Sequence, residues 1–157
     1  MNYQIRQATT ENISPALDLA LRVFMEYDAL DYGPEHTERM RLSIEERIAN
    51  PDIYLTGNRL MYVALNNKKV IGIIETYGNN RISLMFVDSA YHRQGIATDL
   101  MSRMACKLKM SGYDKIVLNS SPYGFAFYKH FGFTINETEK NINTPWKIPM
   151  SYILNEI

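Results

Sequence analysis

Residues 87 to 98 read VDSAYHRQGIAT, and they carry more information about the fold than any other part of the chain. They follow a β-rich run and lead into an amphipathic pattern, so the sequence predicts a strand, a turn and a helix in succession. Backbone N–H groups at a helix start lack internal partners and carry partial positive charge. Because Gly95 and Ala97 are small and Arg93 is cationic, the turn suits an anion such as a phosphate. An ordinary strand-to-helix turn with a solvated arginine would give the same pattern.

Three β-rich runs at residues 60–65, 70–77 and 82–87 precede this turn and are joined by short polar segments. Such joints favour two consecutive hairpins and hence an antiparallel meander. Upstream, the pattern predicts a strand at residues 3–8, a helix over about 15–27 with Ser14 as its N-cap, and a second helix at 37–49.

Downstream of the turn, apolar residues recur on one helical face, at Ile96, Leu100, Met101, Met104, Ala105 and Leu108. A strand at residues 115–119 follows this helix, and a crossover of that length usually returns the chain parallel to the strand it left. The third meander strand and this strand are therefore expected to be parallel neighbours. A short helix at 123–131 and closing strands at 133–135 and 150–154 complete the predicted order.

Composition narrows the classes of protein. With 157 residues, 46% of them hydrophobic, the chain fits one globular domain spanning residues 1–157. Lys+Arg and Asp+Glu number 17 each, so there is no basic footprint for nucleic acid. No apolar run approaches the roughly 20 residues of a membrane span, and residues 1–10 lack a signal-peptide core. We therefore expect a cytoplasmic protein with neither nucleic-acid nor membrane partners.

The side chains that most often bind metals are sparse. Cys106 is the only cysteine, so neither an intrachain disulfide nor a thiolate cluster is possible. Its place in the third helix suggests buried filler. His36, His92 and His130 lack the spacing of metal ligands, and we expect no metal.

The stretch VDSAYHRQGIAT, followed by FYKHFGF at residues 127–133, resembles the GNAT superfamily of acetyl-CoA-dependent N-acetyltransferases. The predicted order of elements is similar along nearly the whole chain. The resemblance implies an α+β fold (mixed α/β) with a central, mostly antiparallel twisted sheet. One strand pair in that sheet is parallel, and about four helices flank it.

The resemblance also implies a binding site for acetyl-CoA, the cosubstrate. The pyrophosphate loop of the family falls here on Arg93, Gln94, Gly95, Ile96, Ala97 and Thr98. The backbone of the preceding strand is implied to run beside the pantetheine and to polarise the thioester at Met85, Phe86 and Val87. Ser121 stands where many members have a cofactor-contacting asparagine. His92 replaces the usual Gln or Arg, and Ser89 the usual proline.

Two residues are candidates for catalysis. Tyr128 matches the family tyrosine that is implied to protonate the departing CoA sulfur. The alternative is that Tyr128 is an aromatic residue of the core without a catalytic role. Glu75 is the one acidic residue in the run VIGIIETY, and a buried carboxylate there would suit a general base. Alternation along the strand would instead put Glu75 on the solvent face.

The acceptor is predicted to be a primary amine, on a small molecule or a peptide, acetylated directly in a ternary complex. The connection between the first two helices is acidic and aromatic, which suits a cationic amine but is equally typical of a solvated loop. It contains Glu26, Tyr27, Asp28, Asp31, Tyr32 and Glu35. A non-catalytic acetyl-CoA-binding module is the alternative function. A homodimer through the closing strands is possible.

Overall fold

A computed structural model of the protein describes residues 2–57 and 59–156. Its strands are β1 (Gln4–Gln7), β2 (Arg59–Asn66), β3 (Lys69–Tyr77), β4 (Arg81–Val87), β5 (Lys115–Ser120), β6 (Thr134–Ile135) and β7 (Ile148–Ile153). Its α-helices are α1 (Thr10–Tyr27), α2 (Ala29–Ala49), α3 (Asp52–Leu55), α4 (Ile96–Met110) and α5 (Phe125–Phe131). The predicted α+β class is confirmed, with α3 as one helix more than expected.

The strands form a single seven-stranded sheet in the order β1-β2-β3-β4-β5-β7-β6. Every neighbouring pair is antiparallel except β4 and β5, which are parallel. The predicted meander and its parallel neighbour are confirmed. The parallel pair follows from α4, which carries the chain back across the sheet before β5 begins.

The first helix begins earlier than the sequence predicted. It starts at Thr10 with Thr9 as N-cap, so Pro15 lies inside the helix rather than at its first position. The Asn12 side chain accepts a hydrogen bond from the Thr9 backbone N–H at 3.0 Å, which gives the chain a start signal ahead of Ser14. The helix starts at this cap even though Pro15, its sixth residue, lacks the N–H that would bond to the Glu11 carbonyl.

The second helix also begins before its predicted start. Residues 29–49 are helical except at Gly33, whose backbone has φ 81° and ψ 171°. The predicted break over residues 28–34 is therefore confined to one glycine, which takes a left-handed φ that other residues avoid.

The sheet is covered on both faces. One core contains Leu17, Ile44 and Ile73 beneath α1 and α2, and the other contains Leu100, Met104 and Ile116 beneath α4. The predicted apolar face of α4 is confirmed, because all six of its residues are buried. Burial of each such side chain contributes roughly 1.5–3 kcal/mol. Cys106 was predicted to be buried and is exposed, because it lies on the opposite face of α4.

Candidate functional site

The sheet opens at the parallel pair. Strands β4 and β5 are in register only at Arg81 with Val117 and at Ile82 with Leu118. Beyond Ile82 the two strands separate, so the edge of β4 that faces β5 has no strand partner. A cavity of about 750 Å³ occupies this opening and extends over α1, α2 and α5.

All but two of the predicted site residues line this cavity. Met85, Phe86 and Val87 line it from β4, Arg93 and residues 95–98 from the turn, and Ser121 and Tyr128 from beyond β5. Gln94 and Glu75 are the exceptions, and Gln94 is exposed. One cavity thus joins the predicted anion site to the predicted catalytic tyrosine.

The turn before α4 has two residues with positive φ, Arg93 at 64° and Gly95 at 83°. The first helical hydrogen bond runs from the N–H of Asp99 to the carbonyl of Gly95, at 3.0 Å. The N–H groups from Ile96 to Thr98 therefore precede the helical bonding pattern. A Cβ built on Gly95 would meet no atom within 4 Å, so the space next to this glycine is open. This geometry suits an anion.

Local contacts fix the turn. The Asp88 carboxylate accepts hydrogen bonds from the Ala90 N–H at 3.0 Å and from Arg22 Nη2 at 3.1 Å. Burial raises the pKa of Asp88, but these hydrogen bonds outweigh it and the pKa lies below its ordinary value. His92 Nε2 donates to the Val87 carbonyl at 2.7 Å. His92 therefore ties the turn to the end of β4.

Tyr128 lies on α5 and is packed against Phe127 and Phe133, with ring centroids 5.4 Å and 5.6 Å away. A Cβ on Gly124 would lie 3.1 Å from the Tyr128 ring, so glycine lets the ring pack closely. Burial raises the pKa of Tyr128 above its ordinary value, and the negative charge of Asp28 raises it further. The phenol therefore remains protonated at neutral pH.

Asp28 was predicted as one of several acidic residues in the connection between the first two helices, and it was not a catalytic candidate. It lies between α1 and α2, is 8% exposed and lines the cavity. Burial raises the pKa of Asp28 to about 6, Asp31 adds to the rise, and the Ser121 hydroxyl opposes it. A carboxyl group that titrates near neutral pH beside a cavity is suited to proton transfer.

The other acidic residues of the same connection lie elsewhere. Glu26, Asp31 and Glu35 are exposed and do not line the cavity, whereas Tyr27 and Tyr32 line it with Asp28. The solvated-loop interpretation therefore fits the three exposed acids, and the binding interpretation fits Asp28 and the two tyrosines. The one available sequence signal for Asp28 was its position between a helix end and a helix start.

Glu75 is fully buried, which excludes the alternative that placed it on the solvent face. Its carboxylate accepts hydrogen bonds from Arg47 at 3.0 Å and 3.1 Å and from Arg59 at 3.0 Å. The hydroxyls of Tyr54 and Ser83 also donate to it. Two guanidinium groups and two hydroxyls thus occupy the Glu75 carboxylate, and Glu75 does not line the cavity. This geometry does not suit the general-base role that we expected for Glu75.

The described residues contain neither a metal-binding cluster nor a membrane-spanning helix. No group of three or more His, Cys, Asp or Glu side chains is placed to hold a metal ion. None of the helices in residues 2–57 and 59–156 has the length and apolar character needed to cross a bilayer.

The fold is similar to those of solved acetyltransferases. The PaiA N-acetyltransferase of Thermoplasma acidophilum in complex with coenzyme A has a TM-score of 0.79 and 20% identity, covering 98% of this chain and 99% of that one. A GCN5-related N-acetyltransferase of Rhodopseudomonas palustris has a TM-score of 0.79 and 18% identity, covering 98% and 96%. An aminoglycoside 6'-N-acetyltransferase complexed with coenzyme A has a TM-score of 0.68 and 17% identity, covering 96% and 97%. These likenesses show the fold.

The amino-acid sequence of the chain matches a known protein family. No match was found among the curated proteins. The acetyltransferase (GNAT) domain family matches residues 28–154, a range that contains the turn, β4, β5 and Tyr128. The chain belongs to the GNAT acetyltransferase family.

Proposed function

We propose that the protein transfers the acetyl group of acetyl-CoA to a primary amine of a small molecule or a peptide, directly and in a ternary complex. The observation that carries the proposal is one continuous cavity, which reaches from the Gly95 turn along β4 to Asp28 and Tyr128. It provides an anion site, an unpaired strand edge, a candidate base and a candidate acid. Two structural relatives were solved with coenzyme A, which supports acetyl-CoA as the cosubstrate.

The chain can hold acetyl-CoA at two places. The N–H groups at the start of α4 suit the diphosphate, and the open space at Gly95 leaves room for it. The edge of β4 at Met85, Phe86 and Val87 offers backbone groups to the pantetheine and the thioester carbonyl, because β5 has diverged there.

The chemistry needs a base for the amine and an acid for the thiolate. In this proposal the Asp28 carboxylate takes a proton from the amine as its nitrogen bonds to the acetyl carbon. The carbon–sulfur bond breaks, and Tyr128 gives its phenolic proton to the sulfur. Transfer of the proton from Asp28 to the tyrosinate restores both residues. No cysteine is among the described residues that line the cavity, which favours direct transfer.

The charge of Asp28 affects the acidity of Tyr128. The negative charge of Asp28 is one cause of the raised pKa of Tyr128. When Asp28 becomes protonated, that charge disappears and Tyr128 becomes a stronger acid as the thiolate leaves. Burial also raises the pKa of a thiol in the same cavity, which brings the donor and the acceptor closer in acidity.

We propose a positioning role for Glu75. It holds Arg47 and Ser83, and both of these line the cavity. Cytoplasmic location, a single domain over residues 1–157 and a possible homodimer stay predictions.

The experiment is a steady-state assay of free thiol with acetyl-CoA and a panel of amines. Tyr128→Phe is expected to lower turnover at least tenfold with little change in acetyl-CoA affinity. Tyr113→Phe is the control, because Tyr113 is exposed and does not line the cavity. Unchanged turnover in Tyr128→Phe would remove this residue from the mechanism. Tight acetyl-CoA binding without thiol release for any amine would favour the binding module.

A further inference from the structure

We call the side of the cavity formed by α1, α2 and residue 147 the acceptor half. This half contains charged residues of both signs, with the positive ones in excess. Among the described residues that line the cavity, Asp28 is the only acidic one. Arg39, Arg47 and Lys147 line the acceptor half as well. A polycationic acceptor would therefore meet one carboxylate and several like charges.

The deepest cation belongs to a cluster with excess positive charge. Arg47 is 7% exposed, and its guanidinium shares the Glu75 carboxylate with Arg59. Two guanidinium groups and one carboxylate leave a formal charge of +1. Tyr54 does not cancel it, because burial and the neighbouring carboxylate raise its pKa and keep the phenol neutral. A net positive charge away from bulk water attracts an anion more strongly than a surface charge does.

Lys147 lines the acceptor half, and the adjacent Trp146 contacts a residue that lines the cavity. Lys147 is exposed and forms no ion pair with the described residues, whereas Arg39 is paired with Glu35 at 2.7 Å. The adjacent Trp146 has a buried indole Nε1 without a hydrogen-bond partner among the described residues. The Trp146 ring packs edge-on against His36, which lines the cavity, with centroids 5.1 Å apart. Buried donors without partners are rare in proteins, and this one lies beside the unpaired lysine.

We propose that the acceptor is a primary amine that also carries an anionic group, either a carboxylate or a phosphate. The amine lies at Asp28, beside Tyr128. The anionic group lies in the acceptor half between Arg47 and Lys147. This inference rests on the proposed function and names the class of its acceptor.

Matched pairs of amines test the inference by calorimetric binding to the protein saturated with CoA. The pairs are L-lysine and cadaverine, L-phenylalanine and phenethylamine, and phosphoethanolamine and ethanolamine. In at least one pair the anionic member is expected to bind tenfold or more tightly than its partner. The first two pairs report on a carboxylate and the third on a phosphate.

Two variants locate the anion. Lys147→Gln is expected to lower the affinity for the anionic member of a pair at least threefold and to leave the affinity for the other member unchanged. Lys140→Gln is the control, because Lys140 is a nearby exposed lysine, paired with Glu137, that does not line the cavity. Lys140→Gln is expected to bind both members as the unmodified protein does.

The outcomes separate the two proposals. If no anionic member binds more tightly than its partner, or if Lys147→Gln and Lys140→Gln behave alike, the inference is overturned. If the anionic member binds tightly but acetyl-CoA releases no thiol with it, the inference holds and the proposed activity fails.

Discussion

Replacing Gly95 with alanine perturbs the turn that we propose as the diphosphate site. Gly95 has φ +83°, a left-handed conformation that costs an L-residue roughly 1–2 kcal/mol. A Cβ there meets no atom within 4 Å, so no clash adds to this cost. The free energy of unfolding is therefore expected to fall by roughly 1–2 kcal/mol. For a chain of this size each 1 kcal/mol corresponds to about 2–4 °C in Tm.

The effect on ligand binding is larger. The new methyl group would occupy open space at the residue that precedes α4, where we propose that the diphosphate binds. Loss of one hydrogen bond to a charged group costs about 1.5–3 kcal/mol. The affinity for CoA, measured by calorimetric titration, is therefore expected to fall roughly tenfold to a hundredfold.

Gly112→Ala is the matched control. Gly112 also has positive φ, at +95°, and a Cβ there also meets nothing within 4 Å. It lies beyond the other end of α4 and does not line the cavity. Both variants are expected to lose similar stability, and only Gly95→Ala should lose CoA affinity. Equal CoA affinity in the two variants would refute the reasoning.

Two further predictions concern buried carboxylates. Glu75→Gln should lower the free energy of unfolding by about 3–5 kcal/mol in urea titrations, because it leaves two guanidinium groups without their counter-ion. Glu35→Gln breaks an exposed ion pair and should change the free energy of unfolding by under about 0.5 kcal/mol. Equal losses of stability in the two variants would contradict the role of the buried cluster. The folded-state pKa of Asp28, about 6, lies above its ordinary 3.8, so protonation of Asp28 favours the folded state, and this contribution is lost as pH rises between the two values. Asp28→Asn should therefore stabilise the protein at pH 7 by at most about 3 kcal/mol and hardly at pH 3, and a gain that does not depend on pH would contradict the raised pKa.

Much of the sheet could be predicted because its signals are local. The meander follows from short polar joints between β-rich runs, and α4 follows from apolar residues at helical spacing. The predicted start of α1 was wrong because two possible start signals lie within a few residues of each other. Ser14 and Pro15 resemble a start, but the side chain of Asn12 already caps Thr9. Which of the two signals starts the helix depends on hydrogen-bond geometry, which the residue pattern alone does not give.

The structure brings together the predicted site residues of one contiguous segment, whereas the predictions that depended on packing differ from what it shows. Most of the residues from Arg93 to Thr98 line the cavity because they surround one helix start. Asp28 lines the cavity and Glu75 does not, for reasons that lie far away in sequence. Glu75 contacts Arg47 and Arg59, whereas burial raises the pKa of Asp28 against the opposing hydrogen bond of Ser121. Tertiary contacts of this kind have no signature in strand periodicity.

Calorimetric titration of the folded, unmodified protein with coenzyme A tests the central claim most directly. The account predicts saturable binding with one molecule per chain at concentrations below the millimolar range, weakened as salt screens the diphosphate. Absence of both heat and saturation at millimolar coenzyme A would contradict it.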